Sequence, residues 1–212
     1  MEFIDITVGI INDMLVWPGD QPAKIGWESQ IVDGAISNVS SIQIGAHVGT
    51  HIDMPLHFFD GGANLDSLDL SVMIGRATVV EVPDEKRSID AGFLDSLELE
   101  VVTRVLFKTS NSRLWDDVFH EFKVDYVALE PDAAQWLVEH GCRLVGIDYL
   151  SIAPYEDSVA PHEILLSNNV VILETLDLHA AQPGEYQLIC LPLKLISREA
   201  APARAILYKP QN

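Results

Sequence analysis

The sequence predicts an α/β fold, a single domain with a mixed β-sheet core and a few flanking helices, and three observations predict it. Short β-branched runs recur along the whole chain. Only a few segments carry helix start and stop signals. No repeat, low-complexity tract or Pro/Gly-rich linker divides the 212 residues. A chain of this length can bury about 70% of its unfolded surface, enough for one substantial core.

In order, runs that read as strands lie at residues 3–7, 39–44, 77–82, 104–108, 124–129, 144–147, 170–173, 186–190 and 205–208. The clearest helix starts at Glu130, Pro131 and Asp132, places Ala134, Leu137 and Val138 on one face, and stops at Gly141. A parallel crossover into 144–147 follows from it. A second helix is expected over 89–97 with Ser88 as its cap, and a third over 162–168, ended by Asn168 and Asn169.

Thirteen basic residues against 32 acidic ones give a net charge of −19, a field that repels phosphate backbones and anionic surfaces. Nucleic acid is thereby excluded as a partner. The N-terminal stretch MEFIDITVGIINDM has no basic region before an apolar run, and no window has the roughly 18 apolar residues of a membrane span, so neither export nor membrane insertion is expected. Cys142 and Cys190 form no C-x-x-C pair, which fits a reducing cytoplasm.

Residues 45–62 read GAHVGTHIDMPLHFFDGG, and the potential ligands and proton carriers His47, His51, Asp53 and His57 all fall on odd numbers. That is strand periodicity. It turns these four side chains one way and Val48, Ile52, Met54 and Leu56 the other, into the core. The zinc-protease helix pattern is excluded because Val48 stands where its Glu is needed. A lone histidine would read as a hydrogen-bonded core residue. Three imidazoles and a carboxylate on one face of an apolar strand need compensation that a bound cation supplies directly.

The pattern H-x-G-T-H-x-D-x-P-x-H-F, His47 through Phe58, resembles the cyclase-like metal hydrolase family that includes bacterial kynurenine formamidase. TVGIINDMLVWPGD resembles that family's opening strand and W-P-G-D loop. GIDYLSIAP, PHEILLSNNVVILETL and LPLKL resemble three further segments, so the likeness spans nearly the whole chain and implies a complete domain, residues 1–212, of the swivelling β/β/α type.

The resemblance implies two divalent metals per subunit, Zn²⁺ ahead of Mn²⁺. His47, His51 and Asp53 would hold the first, and Asp53 with His162 and Glu174 the second, with Glu174 bridging both. It implies His57 as proton donor and acceptor, Trp17 as a wall of the substrate pocket, and a homodimer or homotetramer. By themselves, His162 and Glu174 twelve residues apart, or Trp17 beside Pro18, read as ordinary surface and turn residues.

The expected reaction is hydrolysis of a small-molecule amide, N-formyl-L-kynurenine or a close aryl formamide, to formate and the free arylamine. Alternatives are an isatin hydrolase-like opening of a cyclic amide, or a relative that binds metal or small molecules without turnover. Two departures bear on the substrate. Thr175 stands where the family has Asn, and SREAAPARA at 197–205 lacks the glycine common before P-x-R-A.

Overall fold

The computed structural model describes residues 2–117 and 121–210. In chain order its strands and helices are β1 (Phe3–Asp5), β2 (Lys24–Ser29), β3 (Val39–Gln43), β4 (His51–Asp53), α1 (Leu70–Met73), β5 (Ile74–Glu81), β6 (Ser88–Ile89), α2 (Ala91–Asp95), β7 (Arg104–Lys108), β8 (Ala128–Leu129), α3 (Pro131–Glu139), β9 (Leu144–Ile147), α4 (Ala160–Ser167), β10 (Val171–Glu174), β11 (Gly184–Pro192) and β12 (Ala200–Tyr208).

Eight strands form one mixed sheet in the order β1-β12-β11-β5-β7-β9-β10-β4. Strand β4 also pairs with β12, so the sheet curls round and closes on itself. The run β5-β7-β9-β10 is parallel, and α3 lies in the crossover between β7 and β9, as its punctuation predicts. Parallel strands buried on both faces are continuous apolar runs: Val105, Leu106, Phe107, Leu144, Val145 and Ile147 are all wholly buried. One core cluster packs α2, α3 and α4 against this side of the sheet. A second fills the other side, around Ile52, Met73, Leu106, Leu173 and Leu188.

Several expected boundaries move, each for a local reason. The strand expected over 124–129 shrinks to Ala128–Leu129, because Asn111 takes the Val127 backbone groups for itself: Val127 N donates to Asn111 Oδ1 at 3.0 Å and Asn111 Nδ2 donates to Val127 O at 2.8 Å. Ser88 does not cap the second helix. It lies in β6, parallel to β8, and the cap is Asp90, whose Oδ1 accepts from Phe93 N at 2.6 Å. Helix α4 begins at Ala160, ahead of the expected 162, with Pro161 in its first turn. Strand β2, which pairs with β3 as an outlying hairpin, carries no clean alternation and has no counterpart among the expected strands.

Candidate metal centre and active site

Residues 47–57 are not one continuous strand. Only His51–Asp53 is paired; 46–50 turns, and Pro55–His57 is a single 3₁₀ turn. Gly49 is the reason on one side: its φ is +69°, and an added Cβ would meet Ile10 Cγ1 at 2.9 Å. Pro55, which lacks the N–H a ladder needs, ends the strand on the other. The expected division of faces survives nonetheless. Val48, Ile52 and Met54 are at most 5% exposed in the core, Leu56 is half-buried, and the four odd-numbered polar residues lie on the other side.

Sheet register brings the distant carboxylate in. In the antiparallel β4–β10 pair Glu174 lies directly opposite His51, and Asp53 shares His51's face two residues on. Thr50 stitches this corner from beneath: its hydroxyl accepts from Val8 N at 2.9 Å and donates to the Thr175 carbonyl. Thr175 itself has a left-handed backbone at φ +58°, which ends β10 immediately after Glu174. His162 arrives from the first turn of α4 and stacks on Phe58 with ring centroids 4.7 Å apart.

Two groups of candidate ligands result, His47–His51–Asp53 and Asp53–His162–Glu174, each with its ligand atoms within 4.8 Å of one another and with Asp53 common to both. His51 Nε2 stands 3.5 Å from Asp53 Oδ1 and 3.3 Å from Glu174 Oε2, and His162 Nε2 stands 3.2 Å from Glu174 Oε1. Glu174 thus reaches both imidazoles with different oxygens.

A shared cation explains what hydrogen bonds do not. Among the described residues, His51 Nε2 and both Asp53 oxygens are buried with no hydrogen-bond partner, and His47 Nδ1 approaches Asp53 Oδ1 to 2.9 Å. Such orphaned groups are costly. Two ligands about 2.1 Å from one ion at a tetrahedral angle stand roughly 3.4 Å apart, close to the contacts seen here. The backbone also sets the tautomers. His51 Nδ1 lies 2.8 Å from Gly49 O, and His162 Nδ1 lies 2.8 Å from Ser158 O, so each Nδ1 is placed to carry a proton and each Nε2 would offer its lone pair to a cation. Imidazole and carboxylate without thiolate suit a borderline divalent ion.

The electrostatics agree. Burial opposes charge on His47, but the contact with Asp53 and the negative charges of Asp53, Glu174 and Glu199 outweigh it and push its pKa up to about 9. Asp53 is held well below the usual carboxylate range: its burial, which works the other way, is overcome by His47, His51 and His57. Without a cation, the cluster recruits protons to balance its carboxylates. His57 differs: desolvation lowers its pKa despite the pull of Asp53, which keeps its imidazole neutral at neutral pH.

A cleft of about 210 Å³ opens on this cluster, lined by His47, His51, His57, His162 and Glu174 together with Trp17, Asp20, Phe58, Leu150, Ser151 and Ser158. Trp17 is placed by a tight turn: Asp20 N donates to Trp17 O at 3.0 Å, with Pro18 and Gly19 (φ +101°) between them. Its ring meets Phe122 edge-on at 5.2 Å and Tyr155 at 5.7 Å. Leu150 and Ser151 follow a buried Asp148, which accepts hydrogen bonds from the backbone N and hydroxyl of both Thr109 and Ser112 at 2.7–3.1 Å.

All seven residues singled out in the sequence, Trp17, His47, His51, Asp53, His57, His162 and Glu174, therefore border one cleft or its floor. Asp20, Phe58 and Ser151 join them unanticipated, although each lies inside a motif that the sequence displays. Glu199, whose Oε1 is 3.6 Å from His47 Nε2, lies in the segment 197–205, whose one sequence signal is a departure from the family pattern.

Known proteins share both the sequence and the fold. The family model described as Putative cyclase matches residues 4–154. The chain is 37% identical over 209 residues to the kynurenine formamidase of Salinibacter ruber, covering 98% of this chain and 97% of that one. It is 39% identical over 218 residues to Cyclase-like protein 3 of Oryza sativa subsp. japonica, covering 97% of this chain and 79% of the relative. A solved structure described as a potential metal-dependent hydrolase with cyclase activity superposes with a TM-score of 0.85 at 30% identity, covering 100% of this chain and 99% of its own.

Proposed function

The chain belongs to the cyclase family and is a metal-dependent hydrolase of C–N bonds other than peptide bonds, and we propose that it cleaves an aryl formamide, with N-formyl-L-kynurenine the leading substrate. The observation that carries the reading is the pair of ligand groups sharing Asp53, with its orphaned buried nitrogen and oxygens, at the floor of a cleft. His47, His51 and Asp53 hold one divalent ion, Asp53, His162 and Glu174 a second, and Zn²⁺ is the leading occupant ahead of Mn²⁺.

A divalent ion there supplies a Lewis acid for the carbonyl and a water whose pKa falls to about 7. The protein's own groups do the rest. Trp17 and Phe58, which both line the cleft, hold the aryl ring, and a cleft smaller than the ~300 Å³ of most ligand sites favours a one-ring substrate. The His57 imidazole lies at the cleft with no side-chain hydrogen bond among the described residues, and desolvation lowers its pKa, so one ring nitrogen accepts the attacking water's proton. It hands that proton to the arylamine nitrogen as the C–N bond breaks, which releases formate and the free amine.

We place the reaction in a single domain spanning residues 1–212, in the cytoplasm, where the buried free thiols of Cys142 and Cys190 would persist. No described helix is long and apolar enough to cross a membrane. A homodimer or homotetramer is supported by the β2–β3 hairpin, which exposes Trp27, Val32 and Ile36 at 61%, 82% and 101%. Formate release from N-formyl-L-kynurenine by Zn²⁺-loaded protein tests the substrate. Turnover of isatin or another cyclic amide, with none of the formamide, would redirect the assignment to cyclic-amide opening. Absence of turnover across both classes would leave a binding protein.

A further inference from the structure

Each of the three candidate imidazole ligands has a second ring nitrogen that needs a partner, and the protein provides for them unequally. His51 and His162 each donate from Nδ1 to a backbone carbonyl at 2.8 Å. His47 has no such carbonyl among the described residues. Its Nδ1 faces Asp53 within the cluster, so the outward nitrogen is Nε2, and the acceptor facing it is the Glu199 carboxylate at 3.6 Å.

We propose that Glu199 is a positioning residue for His47, completing a carboxylate–histidine–metal relay in which Nε2–H is donated to Glu199 and Nδ1 ligates the cation. The inference rests on the metal-hydrolase reading and adds to it a residue from the far end of the chain. An imidazole that donates its free N–H to a carboxylate is held in one tautomer and orientation, and is a more basic ligand.

Glu199 is well placed for this. Its segment is pinned by backbone contacts that do not involve its side chain: Met54 N donates to Glu199 O at 2.8 Å, Leu65 N to Arg198 O at 3.0 Å, and Ser197 N to Asp66 Oδ2 at 3.1 Å. The next residue, Ala200, lies opposite Asp53 in the β4–β12 pair, so main chain and metal cluster are in fixed register. The side chain itself is 32% exposed, and 3.6 Å is longer than a hydrogen bond, so the relay needs the carboxylate to close on Nε2 by about half an ångström or more. The ring that Glu199 would steady also lies against His57, with centroids 4.3 Å apart, so its orientation bears on the proton carrier as well.

The test is the Zn²⁺ affinity of the full chain, measured by competition with a chelating dye, for the parent protein and for Glu199→Ala, Glu199→Gln, His47→Ala and the double variant His47→Ala/Glu199→Ala. The expected result is a ~10- to 100-fold loss of affinity in Glu199→Ala. Glu199→Gln, which keeps a carbonyl acceptor, should lose less. The Glu199→Ala effect should vanish once His47 is already absent, because the two act through one nitrogen. A loss below about threefold in Glu199→Ala overturns the proposal. So does a loss of the same size with and without His47, which would mark a general electrostatic or folding effect. A parent protein that binds no Zn²⁺ would instead sink the metal-hydrolase reading itself, a result distinguishable from failure of the relay alone.

Discussion

His51, Asp53 and Glu174 stand on paired strands and are each at most 4% exposed, whereas His47, His57 and Trp17 stand on turns at the rim and keep contact with solvent. The strand side is held by ladder register and by backbone hydrogen bonds that set the His51 tautomer. The rim side is held by ring stacking and one tight turn. The difference separates two tasks. A buried strand corner keeps ligand geometry fixed even though its unpaired polar atoms are costly, while exposed turns let the proton carrier and the aromatic wall adjust to an entering substrate.

The strongest way to break this division is Asp53→Ala, which removes the carboxylate common to both ligand groups. Metal content should fall in both sites, and kcat/KM should drop by more than the ~10⁴-fold that loss of an acid–base group alone can cost. Retention of two metals per subunit would show that the strand corner is not the ligand scaffold. His57→Ala sharpens the contrast from the other side. It should lower kcat by about 10²- to 10⁴-fold while metal content stays at the parent level. Loss of metal in that variant would move His57 from the rim task to the ligand task.

Metal removal probes the strand corner in a different way. At an ion concentration one hundred times Kd, binding to the folded state alone contributes about 2.7 kcal/mol per site, so chelation should lower Tm by roughly 5–10 °C for each site emptied. The metal-free protein should also respond to pH with a defined sign. The folded pKa of His47 lies near 9, above its unfolded value of 6.5, and that of His162 is likewise raised, by Glu174 in spite of burial. The His47 contribution is complete below pH 6.5 and is lost as pH rises towards 9, and that of His162 falls away in the same direction, so the apo Tm should fall as pH rises above 6.5. Loading Zn²⁺ near pH 7.5 should expel about one proton or more per subunit, visible by calorimetry in buffers of different ionisation enthalpy. The smallest effect is expected at the rim: Trp17→Leu should raise KM by about 3- to 10-fold with kcat nearly unchanged, in line with one aromatic contact of ~1 kcal/mol.

Legibility followed the range of the interactions. The runs 104–108 and 144–147 were readable to the residue because their middles, buried on both faces, are uninterrupted apolar stretches, bounded in the first by Arg104 and Lys108. The run 124–129 misled because its apolar pattern is that of a core segment, yet its backbone is satisfied by the Asn111 side chain rather than by a ladder. Trp17, His162 and Glu174 carried no chemistry of their own; only the likeness of their surrounding motifs to a known family singled them out. Glu199 lies in the segment 197–205, which carries the likeness to the family's P-x-R-A stretch, but nothing there marked its side chain as a partner of the metal ligands.

By itself the sequence determined which side chains could share a face around Asp53. Alternation along a short extended segment is local, and so are the interruptions that Gly49 and Pro55 impose on it. Only the tertiary structure decided that Glu174 lies across from His51, that His162 approaches from α4, and that Glu199 stands behind His47. Those meetings depend on strand register and on helix packing between segments more than a hundred residues apart, and no periodicity within a window records the partner a strand will choose.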